Sequence, residues 1–461
     1  MRLATLLGPD LKQLLKEDPD QVRELLDEIH PEDLADLVSE LDPDEAAELL
    51  ARMPAADAAP IFERLEEHEQ GELVELMPPE SVAQIASEMA PDDRADLFSV
   101  LPESVGDVIL EKLERVDPEA AEDVREIEKW PETSAGHLMT TEYVYVAPDA
   151  DVRQAIDAVR RHAAEHHESI YNVYALDGAE RLVGVASLRD LLLASPTQPL
   201  GEIVRTNIIS VAPLEDQEDV ARKMAKYDLN VIPVIDDKGA ILGVITIDDI
   251  VDVLTAEQTE DVQKLGAVEP LDVPYFKTSI LTFIKKRGVW LFVLFIGEFF
   301  TQTALRHYDP VFEAIKGAAY YVPLLISAGG NSGSQSSTLV IRGMAVGEIK
   351  LGDWWRILVR EMVLGFVLGV GLAVVGFARV LAYPEGTGPF ALTVAVAIVG
   401  IVMTGCTAGS MLPILLKRIG LDPATSSTPF IASLVDVLGI VIFVYAAKAV
   451  MVNVLEAAGV N

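Results

Sequence analysis

Basic residues are scarce in this chain and cysteine is almost absent. There are 36 Lys and Arg against 73 Asp and Glu, a net charge of −37 over 461 residues. Phosphate binding needs a basic face, so nucleic acid is excluded as a partner. The single cysteine, Cys406, lies in an apolar run; this excludes intrachain disulfides and suits a soluble half in a reducing cytoplasm. The opening stretch MRLATLLGPDLKQLLKED has no long apolar core and no small-residue cleavage site, which argues against a secretory signal. A Walker-type phosphate loop, clustered His and Cys ligands and a nucleophile motif are also missing from the soluble half, so the chain is not expected to be an enzyme.

What is present divides into two unlike halves. Residues 1 to about 270 are crowded with acids, whereas residues 289–457 hold several apolar runs of membrane-spanning length. Over residues 1–135, helical patches punctuated by proline begin at His30, Asp42, Ala55, Pro78, Ala90 and Pro102. A period near a dozen residues is one short helix and a turn, which predicts an all-α superhelical N-domain. Asp92 and Asp96 would lie side by side on one helix, a like-charge pair that opposes the helix unless a cation approaches.

Residues 136–198 and 199–255 are two copies of one unit. IYNVYALDGAERLVGVASLRD from Ile170 aligns without a gap with LNVIPVIDDKGAILGVITIDD from Leu229, at an offset of 59 given by Gly184 and Gly243. Each copy predicts helix, strand, turn, strand, helix. With GHLMT from Gly136 and the endings Gly184, Ser187, Asp190 and Gly243, Thr246, Asp249, this α/β tandem resembles a pair of CBS domains. That resemblance implies an adenine nucleotide such as ATP, with Ser187, Asp190, Thr246 and Asp249 on its phosphates and ribose. The same acids would equally serve as helix N-terminal caps.

Residues 256–287 are expected to form a connecting helix system. Asp249, Glu257, Glu260 and Asp261 fall at offsets 0, 8, 11 and 12, on one helical face, and a second helix is expected over about Pro274–Lys286, ending in Lys285, Lys286 and Arg287. Residues 288–461 then predict an all-α transmembrane domain in the lipid bilayer, with five spans at about 288–307, 318–341, 355–382, 390–416 and 429–457. Lys and Arg gather at alternate ends, Arg306 and Arg379 excepted, which places the N-terminus inside the cell membrane and the C-terminus outside.

The fifth span, PFIASLVDVLGIVIFVYAA, places Asp436 among apolar residues. A charge there costs about 2.5–3.5 kcal/mol on insertion scales, so Asp436 is a functional-site candidate. Together with GGNSGSQSSTLVIRG, AGSMLPILLKRIGLDPA and PFIASLVDVLG, the order of domains resembles the MgtE family of Mg2+ channels. The resemblance implies a homodimer with the pore on its axis, lined by Asp436 from each subunit, with Asn331 nearby and Asp422 at the cytoplasmic mouth. It further places Asp92, Asp96, Asp216, Glu218, Ala225, Asp228, Asp249, Asp252, Glu257, Glu260, Asp261, Asp422 and Asp436 around regulatory or pore Mg2+. Ser334 and Thr428 stand where that pattern has Asn. For Glu298, facing the pore and facing a polar partner are equally open.

Mg2+ dehydrates reluctantly and keeps several waters, so two carboxylates across an axis suit a hydrated ion. Softer metals would recruit Cys or His, and the pore segments hold only Cys406. The expected activity is Mg2+ uptake down its electrochemical gradient, closed when internal Mg2+ bridges the cytoplasmic acids. Swinging such a gate from 1:99 to 99:1 takes about 5.5 kcal/mol, roughly 1 kcal/mol for each of several weak sites. The rival readings are a channel or carrier for Co2+ or Mn2+, and a nucleotide-sensing receptor anchored in the membrane.

Overall fold

The computed structural model describes residues 29–459 apart from 166–169, 272, 385 and 427. The stretch read above for a secretory signal lies outside the described residues. Contacts divide the chain into two units, Met1–Thr255 and Ala256–Asn461.

Among the described residues, the first unit begins with eight helices: α1 (Pro31–Ser39), α2 (Pro43–Arg52), α3 (Ala55–Phe62), α4 (Glu67–Leu76), α5 (Pro79–Ser87), α6 (Pro91–Val100), α7 (Glu103–Val116) and α8 (Pro118–Ile127). The first seven start twelve residues apart. Proline occupies the first turn of α1, α2, α5, α6 and α8, where its missing N–H costs nothing. Each helix packs against the second one along, α1 on α3, α2 on α4 and so on to α6 on α8. This buries Leu50, Phe62, Leu97 and Leu113 in one continuous core. Sequence reading missed α4 because it starts without proline; Glu66 N donates instead to Glu69 Oε2 at 3.4 Å. It also missed α8.

The tandem repeat follows. α9 (Val152–Glu165), β2 (Asn172–Leu176), β3 (Leu182–Ser187) and α10 (Leu188–Leu193) are matched by α11 (Gln217–Tyr227), β4 (Val231–Ile235), β5 (Ile241–Thr246) and α12 (Ile247–Leu265). β2 and β3 pair antiparallel with a bulge after Ala175; β4 and β5 pair the same way with a bulge after Val234, 59 residues on. β1 (Val144–Val146) adds a parallel strand to β2, and its counterpart is a single parallel bridge between Val211 and Val234. The repeated glycines have a steric reason. A Cβ on Gly184 would lie 2.7 Å from Val204 and one on Gly243 2.5 Å from Thr140 O, because another segment crosses directly above each.

The second unit holds the end of α12 and the helices α13 (Ile280–His307), α14 (Asp309–Ala314), α15 (Val322–Ala345), α16 (Trp354–Leu381), α17 (Gly388–Arg418), α18 (Thr428–Val450) and α19 (Val452–Ala457). By length and hydropathy, α13, α16, α17 and α18 can each cross a membrane. The run from Ser327 keeps α15 below that threshold, yet its 24 residues are long enough and pack between α17 and α18. Phe292, Phe295, Val363, Val367 and Val374 are exposed, an apolar surface fit for lipid.

Two expectations need correction. No separate helix forms over Pro274–Lys286: residues 275–277 make a turn, and Ser279 caps α13 by accepting from Thr282 N at 3.1 Å. Lys285, Lys286 and Arg287 therefore lie in the second turn of one helix that runs on to His307. The fifth span ends at Val450 rather than 457, where Met451 leaves helical geometry before the short α19.

The bundle is drawn together by glycine. A Cβ on Gly405 would sit 2.3 Å from Gly329 O, and one on Gly409 2.1 Å from Gly333 O, so α15 and α17 cross backbone against backbone.

Candidate functional site

Asp436 is half-buried on α18, which packs against α13, α15 and α17. Asn331 is exposed on α15, its amide donating to Ser327 Oγ at 3.4 Å one turn back. Glu298, which sequence left open, has a polar partner: Ser433 Oγ on α18 donates to Glu298 Oε1 at 3.0 Å. A third intramembrane acid was overlooked. Glu361 on α16 is buried and accepts from Ser336 Oγ at 2.6 Å. The signal for it was the one used for Asp436, an acid inside an apolar run.

Near the end of α12 a second group of acids converges. Asp422 caps the turn Pro423–Thr425 by accepting from Ala424 N at 2.8 Å, and Lys264 Nζ donates to Asp422 Oδ2 at 2.6 Å while also pairing with Glu260. Burial lowers the ammonium's affinity for its proton, but the bonds to Asp422 and Glu260 outweigh it and hold Lys264 above its usual value. Burial raises the carboxyl of Asp261, with Asp422 and Glu257 adding repulsion. Sequence placed Glu260 and Asp261 on one face of the helix and Asp422 at the cytoplasmic mouth, but missed Lys264, the base that joins Glu260 to Asp422.

In the first unit, Asp96 Oδ1 stands 3.1 Å from Nε2 of the buried His137. Asp249 accepts from Thr246 Oγ1 at 2.5 Å and from Thr246 N at 3.3 Å, capping α12, and burial pushes its carboxyl up to about 6, with Asp248 and Asp96 contributing. Asp249 lines a cavity of about 700 Å3 with Glu63, Glu88, Asp93, Asp123 and Asp248. Asp92 is buried on the first turn of α6. Asp190 accepts from Ser187 Oγ at 2.7 Å, which holds it below the usual carboxylate range. Asp216 caps α11 by accepting from Glu218 N, Glu218 pairs with Arg222, Ala225 is exposed on α11, and Asp228 ends it in the left-handed region at φ 52. Asp252 is exposed on α12. Among the described residues no three His, Cys, Asp or Glu side chains converge tightly enough to hold a metal ion.

Family models match in three places: the MgtE intracellular N domain over 29–133, CBS domains over 135–196 and 200–256, and the MgtE divalent cation transporter over 322–446. The chain is 40% identical to the magnesium transporter MgtE of Thermus thermophilus over 73% of this chain and 74% of that one. It is 32% identical to the magnesium transporter MgtE of Enterococcus faecalis over 70% of this chain and 71% of that one. A crystal structure of the cytosolic domain of the Mg2+ channel MgtE in complex with ATP is similar at TM-score 0.50 and 37% identity, covering 54% of this chain and 100% of that one. With relatives this similar over most of its length, and models for all three parts, the chain belongs to the MgtE family of divalent cation transporters.

Proposed function

We propose that the chain is a Mg2+-selective channel of the cell membrane, mediating uptake down the electrochemical gradient and closed by intracellular Mg2+. The observation that carries this reading is Asp436, a carboxylate within the apolar span α18, which packs against the glycine-lined face of α15. Mg2+ is the cargo that suits it, since a carboxylate facing water can hold a hydrated ion without stripping it. The family is one of transporters and not of enzymes.

The finer reading has four parts. Two subunits contribute one Asp436 each to a pore on the dimer axis, with Asn331 beside it and Asp422 at the cytoplasmic mouth. Regulatory Mg2+ ions bind around Asp92, Asp96, Asp216, Glu218, Ala225, Asp228, Asp249 and Asp252 in the first unit, and around Glu257, Glu260 and Asp261 in the second. An adenine nucleotide binds the CBS pair through Ser187, Asp190, Thr246 and Asp249, supported by the hydroxyl–carboxylate pairs in both repeats. The N-terminus is cytoplasmic and the C-terminus outside, supported by the bias of Lys and Arg along the spans.

The test is Mg2+ uptake into proteoliposomes containing the full chain. Wild type should take up Mg2+ and Asp436→Ala should not. Equal uptake by the two would overturn the pore assignment.

A further inference from the structure

Glu298 is the one charged residue of α13 between Gly288 and Ala304. Around it Leu291, Phe292, Phe295 and Phe299 are exposed, so a carboxylate on that outer side would meet hydrocarbon at a cost of several kcal/mol. It turns instead toward α18, where Ser433 Oγ donates to it at 3.0 Å. Ser433 and Asp436 are three residues apart, hence on one face of α18, and Glu298 is close enough to Asp436 for their charges to repel. Among the described residues neither carboxylate is ion-paired to a base.

A glutamine would accept the same bond from Ser433 at a far lower insertion cost. The charge is therefore the feature that needs a reason. We infer that Glu298 is a positioning residue for permeation, fixing Ser433 one helical turn from Asp436 and setting a second negative charge against the face of α18 that carries Asp436, which favours a divalent over a monovalent cation. Attraction scales with the product of charges, so added negative charge gains twice as much from Mg2+ as from Na+. The inference rests on the proposed channel function.

The experiment is Mg2+ uptake by the full chain in proteoliposomes, with Na+ as competitor. Glu298→Gln should raise the half-saturating Mg2+ concentration at least about threefold and increase inhibition by Na+, while the maximal rate per folded protein is retained. Glu298→Asp should restore most of the affinity, and Ser433→Ala should shift it in the same direction by less. A purely structural Glu298 would lower yield or maximal rate and leave half-saturation alone. Unchanged half-saturation and Na+ inhibition in Glu298→Gln overturn the inference. Where that variant fails to fold, unchanged half-saturation in Ser433→Ala overturns it instead. Wild-type uptake no greater than that of Asp436→Ala sinks the channel reading together with this one, whereas wild-type uptake with an unaffected Glu298→Gln sinks this one alone.

Discussion

Lys264 Nζ donates to Asp422 Oδ2 at 2.6 Å, tying the last turn of α12 to the loop before α18. The same ammonium pairs with Glu260, and Asp261 feels the charge of Asp422. Lys264 is thus a built-in cation between Asp422 and Glu260, and a divalent ion drawn to these acids would compete with it.

Removing that competitor should sharpen the response to internal Mg2+. For Lys264→Ala the Mg2+ concentration that half-closes the channel in excised patches is expected to fall severalfold, as for loss of an ion pair of about 1 kcal/mol. A rise would mean that Lys264 itself holds the closed arrangement.

His137 gives the soluble unit a pH dependence. Its bond to Asp96 raises it above the usual imidazole value against the opposing effect of burial, with Glu132 and Glu128 assisting. A raised group stabilises fully below the unfolded value near 6.5 and loses that contribution as pH rises through the folded one. A fragment ending at Thr255 should therefore resist urea better at pH 6 than at pH 8.5, and His137→Gln should remove most of that difference.

Asp249 acts with the same sign in a lower window. Its folded value of about 6 lies above the unfolded value near 3.9, so the native state holds the proton longer and stability declines between about pH 4 and 6. Above that window Asp249→Asn keeps an acceptor for Thr246 without the buried charge. Urea melts at pH 7 should show it more stable than wild type by up to about 3 kcal/mol, and equal stability would mean that the charge is already compensated.

Gly409→Ala should reverse the usual effect of alanine in a helix. Alanine normally favours a helix by about 1 kcal/mol over glycine, but here its Cβ would press on Gly333 O. Overpacking of this kind costs about 1–3 kcal/mol. Thermal melting of the detergent-solubilised protein should fall for Gly409→Ala and stay near wild type for Gly371→Ala, where a Cβ meets nothing within 4 Å.

What could be read from the chain alone was whatever repeats or stays local. The two CBS units were legible because every residue of β2 and β3 has a counterpart in β4 and β5 59 positions away, down to the bulges. The superhelix was legible through its prolines, and α4 was lost because a Glu cap replaces the proline there. The helix expected over Pro274–Lys286 looked periodic, yet the turn at 275–277 and the Ser279 cap restart the chain. Asp436 was legible as an acid in an apolar run, and Asp422 by its place in the link before the fifth span. The partners of Asp422 and Glu298 were not legible, because Lys264 lies 158 positions from Asp422 and Ser433 lies 135 from Glu298. No local pattern encodes such pairings.

The even twelve-residue step of the N-domain has a mechanical corollary. Among the described residues the helices lean chiefly on their second neighbours, α1 on α3 through to α6 on α8, and so form a row of joints in series. Small changes of angle at successive joints add along such a row, so the displacement of one end relative to the other grows with the number of helices between them.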